Sequence, residues 1–292
     1  MRVTENITLS LALMGQTRTA QRLADLTRAA SSGQRVGAPS DDPVAYETAA
    51  RLDTRISVLQ DRGRVATRAA GDMDAAESSL AAAGDLFVRA REIAVQMANG
   101  TVDAATRASE VTEVQGLRDS LLGIANSRGA TGYLFGGTRT ATQPFDATGG
   151  FTGNDDVLRV EVADGVTANA NTSGAKAFTA VGGHDLLGAL QTFATALSRN
   201  DVPGIQAAVD TMEAGQKQLV AARIDAGLGS ERLRSAADVT GNAVTTATSA
   251  RSTAVDINAP ETYSALSATQ FAYTRSVDVT RQILSLASLA RS

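Results

Sequence analysis

The sequence has no cysteine and no tryptophan, and among its 292 residues only one is histidine and five are proline. Without cysteine the chain can form no disulfide, offer no thiolate to a metal and use no cysteine nucleophile. The single histidine, His184, cannot build a histidine-based metal site or supply a second histidine base. We therefore expect no metal, no cofactor and no enzymatic activity.

Clusters of positive charge and long apolar runs are also missing. The chain has 27 basic and 31 acidic residues, a net charge of -4, and no segment that concentrates lysine or arginine. Binding to nucleic acid or to an anionic membrane depends on a basic surface, so neither partner is expected. No stretch approaches the roughly 18 to 20 apolar residues that a membrane span requires.

Alanine is what the chain has in abundance, with 54 residues. Alanine is the best helix former, and its small side chain lets helices approach one another closely. The composition therefore predicts long helices with a shallow core.

The N-terminal segment predicts a helix with a narrow apolar seam. Leu9, Leu13 and Leu23 lie on a pattern that alternates steps of three and four residues, as in helices that pair. The pattern breaks at residues 31–33, and a turn-rich joint follows. Within this joint Asp42 is predicted to cap the next helix, with Pro43 at its first position, where the missing N–H costs nothing. The joint residues are Pro39, Ser40, Asp41, Asp42 and Pro43.

From Pro43 the same alternation continues for some fifty residues, up to Asn99 and Gly100, and predicts one long helix. A third helix, with Val114 and Leu121 on one face, is expected to return antiparallel to it. Residues 130–183 are rich in glycine, threonine and asparagine and lack a helical period, which predicts a small β-rich insertion.

Helical periodicity resumes near His184, pauses at residues 200–204 and continues to about residue 255. The last segment is the most regular, with Ile283, Leu286 and Ala290 as a second apolar line beside its main seam. The main seam carries five large apolar residues: Tyr263, Leu266, Tyr273, Val277 and Leu284.

The predicted fold is mainly α: a long antiparallel helical bundle built from both chain ends, with paired terminal coiled-coil helices and a small β-rich insertion. The predicted domains are residues 1–42 with 258–292, residues 43–129 with 184–257, and residues 130–183. Two helices of this length bury little apolar area by pairing only with each other, so we expect other subunits to complete their packing. We predict an assembly core of Leu9, Leu13, Leu23, Tyr263, Leu266, Tyr273, Val277 and Leu284.

Three segments resemble a known family. Residues 32–43, which read SGQRVGAPSDDP after one amphipathic helix and before a long one, resemble the N-terminal signature of bacterial flagellins and hook-associated proteins. Residues 132–138, GYLFGGT, with Pro144-Phe145 shortly after, are similar to the members that join hook to filament. The run from residue 261 to 292 is similar to the terminal helix of the family.

The resemblance implies a structural subunit of the flagellum, located outside the cell. Its implied partners are further copies of itself, a neighbouring hook-associated protein, flagellin, and a type III export chaperone at the C-terminal helix. It also implies export without a cleaved signal peptide. The alternatives are a flagellin of the filament itself and a cytoplasmic helical scaffold.

Overall fold

The computed structural model describes the backbone of residues 2–289 and the side chains of residues 7 and 9–285. The prediction of a mainly α fold is confirmed, since helices account for most of the described residues. The helices are α1 (Arg2–Ser32), α2 (Pro43–Met97), α3 (Ala104–Ser109), α4 (Val111–Ala125), α5 (Gly174–Phe178), α6 (Leu186–Ser198), α7 (Val202–Val255) and α8 (Ala259–Leu289), and the strands are β1 (Arg159–Ala163) and β2 (Val166–Asn169).

The chain divides into two compact units. The terminal unit comprises residues 1–57 and 244–292, and the central unit comprises residues 58–243. Helices α2 and α7 each contribute residues to both units. The predicted domain boundaries at 42/43 and 257/258, and the separate insertion domain 130–183, stay predictions.

In the terminal unit α1 and α8 pack along each other in opposite directions. The Gly33 carbonyl, just after α1, accepts a hydrogen bond of 3.0 Å from the Ile257 N–H, just before α8. Further from this point Arg18 and Arg22 line a groove together with Ala265 and Ala272. Residue numbers thus fall on one helix as they rise on the other, which is the antiparallel pairing of the two chain ends expected from the sequence.

The central unit has a continuous core between α2, α4, α6 and α7. Its largest fully buried side chains are five phenylalanines at positions 87, 135, 145, 178 and 193. The antiparallel return of α4 along α2 is confirmed, because Glu113 binds Arg89 at 2.7 Å while the Ala130 N–H binds Asp72 at 2.6 Å.

Close approach of α2 and α7 depends on small residues. A side chain at Gly215 would collide with the Phe87 ring, and one at Gly229 with Met73. Gly229 lies inside α7, where the absence of a side chain leaves room for Met73 of α2.

A buried arginine forms hydrogen bonds at the C-terminal end of α2. The Arg107 guanidinium donates to the carbonyls of Met97 and Asn99 at 2.9 and 2.8 Å, and to the Asn200 side-chain oxygen at 2.5 Å. These bonds satisfy carbonyls that have no partner within the helix.

The insertion contains one antiparallel hairpin, in which Val160 pairs with Ala168 and Glu161 with Thr167. In the described part of residues 130–183 this hairpin is the one pair of strands, and two isolated bridges join Tyr133 to Arg128 and Phe145 to Phe151. The remainder forms turns, the short helix α5 and a 3₁₀ turn at Ala180–Gly182. Buried phenylalanines hold the turns in place: the rings of Phe135 and Phe178 meet edge to face at 5.0 Å.

Candidate assembly surface

Helix α1 is only shallowly covered by α8. Leu9 and Leu23 of the predicted seam are half-buried, whereas Leu13 remains 47% exposed. None of the described side chains of α1 is fully buried. Pairing with α8 alone therefore leaves much of the apolar surface of α1 in contact with water.

On α8 the deepest contact with the rest of the terminal unit is polar. Thr269 and Thr280 are 9% and 6% exposed, and the Thr280 hydroxyl donates to the Ser276 carbonyl at 2.8 Å. The five large apolar residues of the predicted seam lie beside these two threonines on the surface of the helix. Leu266, Tyr273 and Val277 are half-buried, while Tyr263 and Leu284 are exposed. Ala290, from the second predicted apolar line, lies outside the described residues.

A second apolar face on α1 was missed by the sequence analysis. Ile7, Leu11 and Met14 are all exposed, and their spacing of four and three residues places them on one side of the helix. At 100° per residue this side points away from the one that carries Leu9 and Leu23. The sequence of α1 contains two overlapping apolar patterns, and the prediction used only the longer one, which carries Leu9 and Leu23.

Helix α8 also has exposed apolar residues away from α1. Phe271 is 64% exposed, with the Arg275 guanidinium 5.3 Å from its ring centroid, and Val279 is exposed as well. The paired helices thus present apolar side chains on both outer sides.

The joint between α1 and α2 is organised by two carboxylates. Asp42 accepts a hydrogen bond of 3.1 Å from the Ala45 N–H, and its carbonyl accepts from Tyr46, so it occupies the N-cap position of α2. Asp41 accepts bonds of 3.0 and 2.9 Å from the N–H groups of Gly37 and Ala38. Helix α2 accordingly begins at Pro43. Pro39 and Ser40 lie exposed in the turn before it.

These hydrogen bonds stabilise the charged forms of both carboxyls. The bond from the Ala45 amide, and secondarily Arg35, hold the pKa of Asp42 below its usual value of 3.8. The amides of Gly37 and Ala38 lower the pKa of Asp41 in the same way. Both side chains are therefore ionised acceptors at neutral pH.

The joint is also tied to the connection between α7 and α8, which the sequence analysis did not predict. Gln34 and Asp256 form an antiparallel bridge, and the N–H groups of Arg35 and Val36 both donate to the Val255 carbonyl, at 2.7 and 3.2 Å. Val36 and Val255 are buried beside Ala49 in a small apolar cluster. We call residues 33–36 with 254–257 the clasp.

The described residues form no candidate metal site. Among the residues that the structure describes, no group of three or more His, Asp or Glu side chains could hold a metal ion. His184 is an exposed residue whose N–H donates to Gln218 at 2.9 Å. No helix within residues 2–289 is long and apolar enough to cross a membrane.

Comparison with known proteins shows similarity to flagellar proteins. Residues 3–140 match the bacterial flagellin N-terminal helical region. The chain is 32% identical over 183 residues to flagellar hook-associated protein 3 of Salmonella typhimurium, which covers 62% of this chain and 58% of that protein. Over these ranges the chain is similar to bacterial flagellins and hook-associated proteins.

In sequence, a flagellin matches less of the chain than the hook-associated protein does. Flagellin E of Vibrio cholerae is 31% identical over 102 residues, 35% of this chain and 27% of that protein. In structure, flagellar hook-associated protein 3 of Legionella pneumophila has a TM-score of 0.58 at 14% identity, over 70% of this chain and 97% of that one. The latter likeness concerns the fold alone. The chain spans less than two thirds of the length of the Salmonella protein.

Proposed function

We propose that this protein is a structural subunit of the bacterial flagellum that joins the hook to the filament. The observation that carries the proposal is the extent of the sequence match: 183 residues align with a hook-associated protein 3 and only 102 with a flagellin at similar identity. The flagellin alternative is therefore the weaker one. A cytoplasmic scaffold has no support from these relatives.

The terminal unit supports assembly as the mode of action. Its two long helices pair through a shallow contact and leave apolar residues exposed on both outer sides. Further copies of the subunit would remove these side chains from water, at a gain of roughly 25 cal/mol for each Å² buried. We propose that the half-buried and exposed members of the predicted seam pack between helices and subunits in the assembled state: Leu9, Leu13, Leu23, Tyr263, Leu266, Tyr273, Val277 and Leu284.

The same surface gives a reason for coupled folding and assembly. A pair of helices without a deep core is only marginally stable in an isolated chain. We propose that α1 and α8 become fully ordered when neighbouring subunits cover them. A chain whose ends remain pliable until assembly can be exported unfolded and does not polymerise early.

The proposed partners are copies of this chain, a neighbouring hook-associated protein and flagellin. A type III export chaperone would bind the C-terminal helix before export, where Phe271 and Val279 offer an apolar surface. The proposed location is the hook-filament junction outside the cell, reached without cleavage of a signal peptide. We propose a non-enzymatic role that requires no cofactor.

Labelling of intact flagella tests the proposal. An antibody raised against residues 140–180 is attached to gold particles and viewed by electron microscopy. A single band between hook and filament is the expected result. Label along the whole filament would identify a flagellin, and protein confined to the cytoplasm with no labelled flagella would exclude both flagellar functions.

A further inference from the structure

The clasp brings four helix ends of the terminal unit to one place. The end of α1 meets the start of α8 through the bond from the Ile257 N–H to the Gly33 carbonyl. The end of α7 meets the chain after α1, since the Val255 carbonyl accepts from both Arg35 and Val36. Gly33 adopts a φ of +73°, a left-handed conformation that ends α1 and that glycine adopts without strain.

The Arg35 side chain is the link that reaches the remaining helix. Its Nη2 donates to the Ala254 carbonyl at 2.8 Å, and its Nη1 lies 3.5 Å from Asp42 Oδ2. One guanidinium thus contacts the last turn of α7 and the N-cap of α2. A lysine ammonium has no planar fork and cannot hold two acceptors on different helices with the same geometry.

We propose that Arg35 is a positioning residue for assembly: with the clasp, it fixes the direction in which the α1–α8 pair leaves the ends of α2 and α7. This inference rests on the proposed function, because a fixed direction matters only if neighbouring subunits must dock on that pair. The two connections do not fix this direction by themselves. Residues 33–42 form no helix or strand beyond the isolated bridge at Gln34, and the other connection has only three residues, 256–258.

The exposure of the contact distinguishes positioning from folding. The Arg35 side chain is 55% exposed and that of Asp42 is 36% exposed, so their ion pair contributes little to stability. Removing the guanidinium should leave the helices folded while the two connections gain freedom. Assembly is the property that should change.

The test uses purified full-length protein and hook fragments isolated from a strain that lacks it. Bound protein is measured by sedimentation for the wild type, Arg35→Ala and Arg35→Lys. We expect the wild type to bind and Arg35→Ala to bind about tenfold more weakly, which corresponds to about 1.4 kcal/mol. Arg35→Lys should also bind more weakly than the wild type.

A disulfide across the clasp provides the matched rescue. Gln34 and Asp256 are bridge partners, and the Cα atoms of such partners lie about 4.5 to 5.5 Å apart, within the range that a disulfide spans. Because the natural chain has no cysteine, Gln34→Cys with Asp256→Cys introduces a single possible crosslink. In the Arg35→Ala background, the oxidised protein should recover binding and lose it again when reduced.

The outcomes separate the two proposals. Failure of the wild type to bind hooks would overturn the proposed function. Wild-type binding matched by Arg35→Ala would overturn the role of Arg35, as would a loss that the crosslink does not restore, since Arg35 would then contact a neighbouring subunit directly. Hydrogen exchange is an independent readout: the amides of Val36 and Ile257 should exchange faster in Arg35→Ala, whereas that of Ala45 should not.

Discussion

The two units of this protein differ in how far they bury their apolar side chains. In the central unit, five phenylalanines are fully buried in one continuous core. In the described part of the terminal unit, the buried apolar residues are Val36, Ala49, Ala247 and Val255, and Phe271 is in contact with solvent. The central unit contains the apolar partners that it needs, and the terminal unit is proposed to obtain part of its apolar contacts from other subunits.

For the proposed structural subunit, this difference separates folding from assembly. A unit with its own core can fold before assembly, whereas a unit with a shallow contact gains most of its stability from the contacts of assembly. Substitutions in the two units should therefore differ in what they change: stability in one and association in the other.

The largest expected effect comes from a matched pair of phenylalanines. Phe87→Ala removes a fully buried ring beside Gly215 and should lower the free energy of unfolding by about 3 to 5 kcal/mol. Phe271→Ala removes an exposed ring and should change it by no more than about 0.5 kcal/mol. Thermal and urea unfolding of both variants measure the contrast. Equal losses would show that the two units do not differ in this way.

The next prediction concerns association. Leu266→Asp with Tyr273→Asp places two charges on the half-buried seam of α8, and we expect incorporation into flagella to be lost. The melting transition of the central unit should stay where it is, because neither residue belongs to that unit. Incorporation is measured by blotting purified flagella. The control is Leu266→Ile with Tyr273→Phe, which keeps the seam apolar and should incorporate normally.

The sequence predicts the features that local chemistry determines. An N-cap aspartate before proline is a complete signal within a few residues, and α2 begins at Pro43 as that signal indicates. The long helices follow from periodicity and from alanine. The β structure expected between residues 130 and 183 occurs as one hairpin between residues 159 and 169.

Features that depend on distant partners were not predictable. The bond from Arg35 to the Ala254 carbonyl joins residues 219 positions apart, and nothing near either one indicates the other. On α8 the period of three and four residues passes through Leu266 and Val277, yet Thr269, which lies outside that period, is buried while both of them are only half-buried. Periodicity identifies the apolar side of a helix but not the neighbour that covers it, and in the terminal unit part of that neighbour is proposed to be another subunit.

A smaller effect is expected at the cap of α2. Asp42→Ala removes the acceptor for the Ala45 N–H and should lower the melting temperature of the terminal unit. Asp42→Asn keeps a side-chain oxygen at the same position and should lower it less. Thermal melting followed by circular dichroism gives the order of melting temperatures for the wild type and the two variants. An alanine variant as stable as the wild type would mean that Asp42 does not cap the helix.

The smallest effect is the dependence of this cap on pH. The amide of Ala45 lowers the pKa of Asp42 in the folded protein relative to its usual value of 3.8. A carboxyl with a lowered pKa contributes stability above its unfolded pKa, and that contribution is lost as the pH falls through the folded pKa. The melting temperatures of wild type and Asp42→Asn should therefore differ at pH 7 and converge at a pH below 3.8. Because the acids of the central unit titrate alike in both proteins, the difference between them reports on Asp42 alone. A difference that stays constant with pH would show that the charge of Asp42 does not contribute to the cap.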